Sequence, residues 1–124
     1  MTQTQVQIQT PRKTYTRSEF FEAMKTMIRV HDYRAAVIYL NSVVRDILEA
    51  NGSSYSVILN PYEPAIENVV GIWLFEEEKT LNGKTVSVVT VHILYLTRIA
   101  VVYKLVCNPG TDEITTAYAY YQKL

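Results

Sequence analysis

Apolar residues recur with a helical period in the first half of the chain and with a period of two in the second. Phe20, Phe21, Met24, Met27 and Ile28 mark one helical stripe. Thr16-Arg-Ser-Glu19 ahead of it has the spacing of a capping box, so a helix is predicted from there to about Val30. His31-Asp32 interrupts the stripe, and Asp32 suits the N-cap of a second helix over Tyr33–Ala50. Val37, Leu40, Val44, Ile47 and Leu48 face inward on that helix, which stops at Asn51-Gly52. The short joint makes the pair a helical hairpin.

Alternation then replaces the helical stripe. Residues 54–60 read as a strand that Asn60-Pro-Tyr-Glu-Pro64 ends. From Val69 to Tyr121 the pattern predicts four consecutive antiparallel strands. Asn82-Gly83 is the clearest turn; it sets Trp73 opposite His92, Leu74 opposite Val91 and Phe75 opposite Thr90. Asn108-Pro-Gly-Thr-Asp112 marks the last reversal. The reversal between them is placed at Thr97-Arg98, a dipeptide without the usual turn residues. With these turns Tyr103 faces His92 and Tyr118 faces Tyr103, so Trp73, His92, Tyr103 and Tyr118 form one row. Ile72, Leu74, Val91, Ile93, Val102, Ala117 and Ala119 take the other face, where small alanines admit the helices. A slip of one residue at Thr97-Arg98 would carry side chains across the sheet.

The expected fold is therefore α+β: an N-terminal helical hairpin packed on one face of a four- to five-stranded antiparallel meander. Residues 1–16 are a polar arm and 17–124 a single domain. Within the arm Gln5-Val-Gln-Ile-Gln9 alternates, which suits either a frayed terminus or a short strand that pairs with a sheet edge, its own or a partner's.

Composition narrows the chemistry. Twelve basic and twelve acidic residues cancel, so no global field draws the chain to nucleic acid or membrane. Residues 1–34 carry six basic against three acidic side chains, a local surplus of three. The single cysteine, Cys107, excludes an internal disulfide and a cysteine-rich metal site. The apolar run Val86–Cys107 carries His92, Arg98 and Lys104 and is rich in β-branched residues, which favours strands over a membrane helix. The N-terminus lacks a signal-peptide pattern, so a soluble, cytoplasmic protein is expected. Ten tyrosines and few cysteines would suit a small viral or thermophile protein.

No metal-ligand spacing, phosphate loop or nucleophile elbow occurs, and no cofactor is expected. His92 is the best single acid–base candidate, and a half-buried structural histidine is the plainer reading. Three readings of function follow. The leading one is a non-enzymatic interaction or assembly protein, a homodimer through the aromatic face (Trp73, His92, Tyr103, Tyr118, Tyr120) or through an exchanged arm. The second is a small-molecule or enzyme domain with a pocket around His92. Helices followed by a curved antiparallel sheet resemble in order the cone-shaped folds of the nuclear transport factor 2-like group, a resemblance of architecture that rests on no motif. The third is a single-stranded nucleic-acid binder that stacks bases on the tyrosines and uses Arg12, Lys13 and Arg17 for phosphates.

Overall fold

A computed structural model describes residues 13–52 and 66–124. The expected strand over 54–60, the Gln5–Gln9 strand and Arg12 lie outside the described residues. In chain order the elements are β1 (Tyr15–Thr16), α1 (Arg17–Arg29), α2 (Tyr33–Ala50), a 3-10 turn (Ile66–Asn68), β2 (Val69–Leu81), β3 (Lys84–Tyr95), β4 (Ile99–Cys107) and β5 (Glu113–Lys123). The strands form one antiparallel sheet in the order β1-β5-β4-β3-β2, a meander with β1 added beside the last strand. The α+β class, with two helices ahead of a curled sheet, is as expected. The fifth described strand is β1, two residues at the end of the expected arm.

Both helices start at side-chain caps. Thr16 Oγ1 accepts from the Glu19 amide at 3.2 Å, and Asp32 Oδ1 accepts from the Ala35 amide at 3.1 Å. The joint is tight because the first cap overlaps the second. His31 takes a left-handed φ of 57°, its amide donates to Ile28 O and the Asp32 amide donates to Met27 O. That is the Schellman pattern, and its final residue is also the next helix's N-cap. A second tie fastens α1 to the sheet. Asp112, in the loop between β4 and β5, accepts from the Ser18 amide at 3.2 Å and from Arg17 Nε at 3.0 Å, while Arg17 also reaches Glu76 on β2 at 2.9 Å.

The core lies between the helices and one sheet face. Phe20 and Met24 of α1 and Val37, Leu40, Val44, Ile47 and Leu48 of α2 meet Ile72, Val91, Ile93, Val101, Leu105 and Ala117. Phe21, Met27 and Ile28 are partly buried against it. Burial of apolar area is the main stabilising contribution here. Cys107 is also enclosed there, where burial foremost pushes its thiol up, so it packs as a small hydrophobe. No helix among the described residues is long and apolar enough to cross a membrane.

Candidate interaction face

The face turned away from the helices is set by three reversals. Asn82 and Gly83 both have positive φ, 51° and 76°, the geometry of the favoured two-residue hairpin turn. Trp73 therefore pairs with His92, Leu74 with Val91 and Phe75 with Thr90, as the turn residues predict. The second reversal differs. Arg98 sits at φ 63° and its amide donates to Tyr95 O at 3.0 Å, so Leu96-Thr-Arg98 is a three-residue loop. A turn followed by one left-handed residue supplies the reversal without a glycine.

The extra loop residue shifts β4 by one, and His92 faces Val102 while Tyr103 faces Val91. This corrects the expected row: Tyr103 belongs to the helix face, 2% exposed, where its hydroxyl donates to Asn41 Oδ1 at 3.2 Å. Val102, expected on the helix face, takes its place. A second shift follows in β5. Thr116 pairs with Val106 but Ile114 with Cys107, so Thr115 is the surplus residue of a bulge. The bulge returns Tyr118 and Tyr120 to the face of Trp73.

Two rows result. Trp73, His92, Val102 and Tyr120 form one; Phe75, Thr90, Lys104 and Tyr118 form the next. The aromatic residues stand on the outer strands β2 and β5, each 44–48% exposed. Between them the floor is buried: Val102 is fully enclosed and Thr90 is 2% exposed. Val86, Val88 and Ala100 are enclosed on this side as well, apart from the helix-facing core. Gly71 makes room at one end. A β-carbon there would stand 2.8 Å from the Trp73 ring, so the indole lies over the bare glycine backbone.

Polar groups on the floor neutralise one another. Lys104 Nζ bonds Glu77 Oε1 at 3.0 Å and Thr90 Oγ1 at 2.8 Å, and the Thr90 hydroxyl donates to Glu77 Oε1 at 3.0 Å. Hydrogen bonds from Lys104 and Thr90 hold the Glu77 carboxyl below its ordinary range. His92 stands edge-on to Phe75 with ring centres 5.4 Å apart. Desolvation, then the Lys104 charge, lower the imidazole pKa, against a smaller opposing pull from Glu77. The ammonium beside Thr90 is paired and the hydroxyl is enclosed, so this lysine–threonine contact does not generate a nucleophile.

Thr90, Lys104 and Glu77 are the group that sequence spacing did not join; Lys104 reaches this face only once Leu96–Arg98 is a three-residue loop. Of the basic candidates, Arg17 is bound to Glu76 and Asp112, and Lys13 Nζ lies 5.6 Å from the centre of the Tyr15 ring. Neither belongs to the aromatic rows. Clefts of about 230 Å³ beside Arg17 and Glu76–Glu78 and of about 170 Å³ beside Asp46 and Glu113 contain neither Trp73 nor His92. Among the described residues no group of three or more histidine, cysteine or acidic side chains is placed to hold a metal ion.

Fold and face together define an α+β protein with one sheet face packed against its helices and, on the other side, a face bearing the aromatic rows. Compared with protein-family models, curated proteins and solved structures, the chain finds no match.

Proposed function

We propose that this is an interaction and assembly protein that buries its aromatic sheet face against a second copy of itself. The observation that carries the reading is the grouping of Trp73, Phe75, Tyr118 and Tyr120, each roughly half exposed, around a floor whose lysine and glutamate are already paired. Interface cores are enriched in aromatic side chains and depleted of free charge. A neutral face also meets its own copy without like-charge repulsion. Four strands and the rows from Gly71 to Glu77 make a footprint of about 20 by 20 Å from ordinary strand spacings. That is at the small end for specific contacts, so dissociation in the micromolar range is expected.

The other readings have less to stand on. A pocket of the cone-shaped kind needs the helices over His92, and both helices pack on the opposite face. A base-stacking platform needs basic side chains beside the rings, and Lys104 is tied to Glu77.

Sedimentation velocity between about 1 and 200 µM tests the proposal. The mass should move from 14.2 kDa toward twice that value, with Trp73 becoming shielded from iodide as it does. Trp73→Ala should weaken association by about thirtyfold, the effect of a hot-spot residue. A monomer throughout, with Trp73 freely quenched, would refute it.

A further inference from the structure

His92 stands inside the proposed interface. Trp73 lies opposite it on β2 and the fully buried Val102 opposite it on β4. Phe75 closes one side edge-on, with its ring centre 5.4 Å from that of the imidazole. Half-exposed rings on β2 and β5 flank this position, so a copy seated on them covers the imidazole.

The charge around His92 is one-sided. Among the described residues β4 supplies Lys104 and β2 supplies Glu77, whose carboxylate already accepts from Lys104 and Thr90. Lys79 of β2 and Lys84 of β3 share the face, about 20 Å or more along the strands at ordinary strand rise. β5 adds Tyr118 and Tyr120 and no charge between Thr116 and Gln122; Glu113 stands at its far end, beyond the bulge. Both helices pack on the other side of the sheet. An imidazolium at His92 therefore meets an ammonium and an acid that is already engaged.

We infer that protonation of His92 opens the proposed dimer, so that the aromatic face holds at neutral pH and releases in mild acid. The inference rests on the reading of that face as a self-association surface. Twofold symmetry presents every group twice, so two imidazolium ions would be enclosed beside two ammonium ions. Enclosing an unpartnered charge is costly, and the imidazole stays neutral while the contact holds. Already in the single chain, desolvation first and the Lys104 charge second lower its pKa. Covering the face adds to the desolvation, so the dimer binds these protons more weakly than the monomer. Dissociation then takes up as many as two protons per dimer, and association weakens as pH falls through the monomer's value. Imidazole is the ordinary side chain that changes charge between pH 5 and 8. The Glu77 carboxyl, held below its usual range by Lys104 and Thr90, stays ionised there.

Sedimentation velocity between pH 8 and 5, over the range in which far-UV circular dichroism shows the fold intact, tests the inference. The dissociation constant of the parent should rise by about tenfold across that range. His31→Asn removes the other imidazole of the chain, exposed at the helix joint, and asparagine tolerates the left-handed backbone there. This variant should show the same rise. His92→Gln takes up no proton, so its dissociation constant should stay constant within about twofold. A parent dimer whose affinity does not change with pH would overturn the inference and leave the dimer standing. An equal rise in His92→Gln, or loss of the rise in His31→Asn, would overturn it as well. No association even at pH 8 would refute the dimer itself and this inference with it.

Discussion

Replacing Tyr103 and Tyr118 separately by alanine sets the observed register against the one that turn residues suggest. Both tyrosines would share the open face if β4 turned at Thr97-Arg98, and their removal would then cost similar amounts. In the structure Tyr103 is 2% exposed and bonded to Asn41, whereas Tyr118 is 45% exposed. Truncating an enclosed aromatic side chain costs about 3–5 kcal/mol. For Tyr118 the remaining burial is about half of a typical 150–250 Å², an upper limit of about 2–3 kcal/mol and about 2 kcal/mol once denatured-state compactness is allowed for. The difference, about 1–3 kcal/mol, moves a urea midpoint by about 1 M at the slopes usual for small domains. Equilibrium unfolding below 1 µM, where the proposed contacts are open, isolates the monomer. Tyr103→Phe, costing about 1 kcal/mol, covers the case in which the alanine variant fails to fold. Equal midpoints for the two alanine variants, or a lower one for Tyr118→Ala, would refute the register.

Other consequences are open to direct measurement. His92 has a native pKa below its ordinary value, so between the two values the unfolded chain holds more protons than the native one; stability should fall as pH drops through about 6.5 and level off below the native pKa. An NMR titration of His92 at or above 6.5 would contradict this. Gly71→Ala should lift the indole that lies over it, giving faster iodide quenching and red-shifted emission at a cost of at most about 1 kcal/mol; unchanged quenching would count against the packing. Asp112→Ala removes the acceptor for the Ser18 amide and should cost about 1 kcal/mol in thermal unfolding, comparable to losing a helix cap. The Tyr15 phenol donates to Asp46 at 2.5 Å, and burial first and that bond second raise its pKa, so its stabilising contribution should be lost as pH rises above about 10, read as early alkaline unfolding that Tyr15→Phe abolishes.

The parts of the fold that were legible from sequence are those written in local chemistry. Thr16, Asp32 and the stripes of Phe20–Met24 and Val37–Leu48 place the helices because caps and periodicity act within a few residues. Asn82-Gly83 places the first hairpin because its backbone requires two positive φ angles. The second reversal was obscure because its left-handed residue is Arg98, a side chain that usually avoids that region and so carries no turn signal. The bulge at Thr115 was equally hidden: nothing in Ile114-Thr-Thr-Ala117 separates a regular strand from one with a surplus residue. At the site, Trp73 and His92 were legible through their secure hairpin. The Lys104–Glu77 pair was not, since it spans the reversal that the sequence leaves unmarked.

The two hidden irregularities act in opposite senses, and the character of the face depends on both. A shift at Leu96–Arg98 alone would leave Tyr118 and Tyr120 on the helix side with β4 reversed beneath them. The bulge undoes the shift for β5, so only β4 changes face. The consequence is a change of shape as well as of membership. Had Tyr103 stood between His92 and Tyr118, the middle of the face would be a ring level with its neighbours, a platform of the kind on which bases stack. With Val102 and a paired Lys104 in that strand, the middle carries no ring and lies buried between the half-exposed aromatic side chains of β2 and β5. Buried floors framed by rings suit the interdigitation of another protein surface, as in the packing of two sheets. The one-residue displacement of β4 thus supports the proposed protein partner over a nucleic acid.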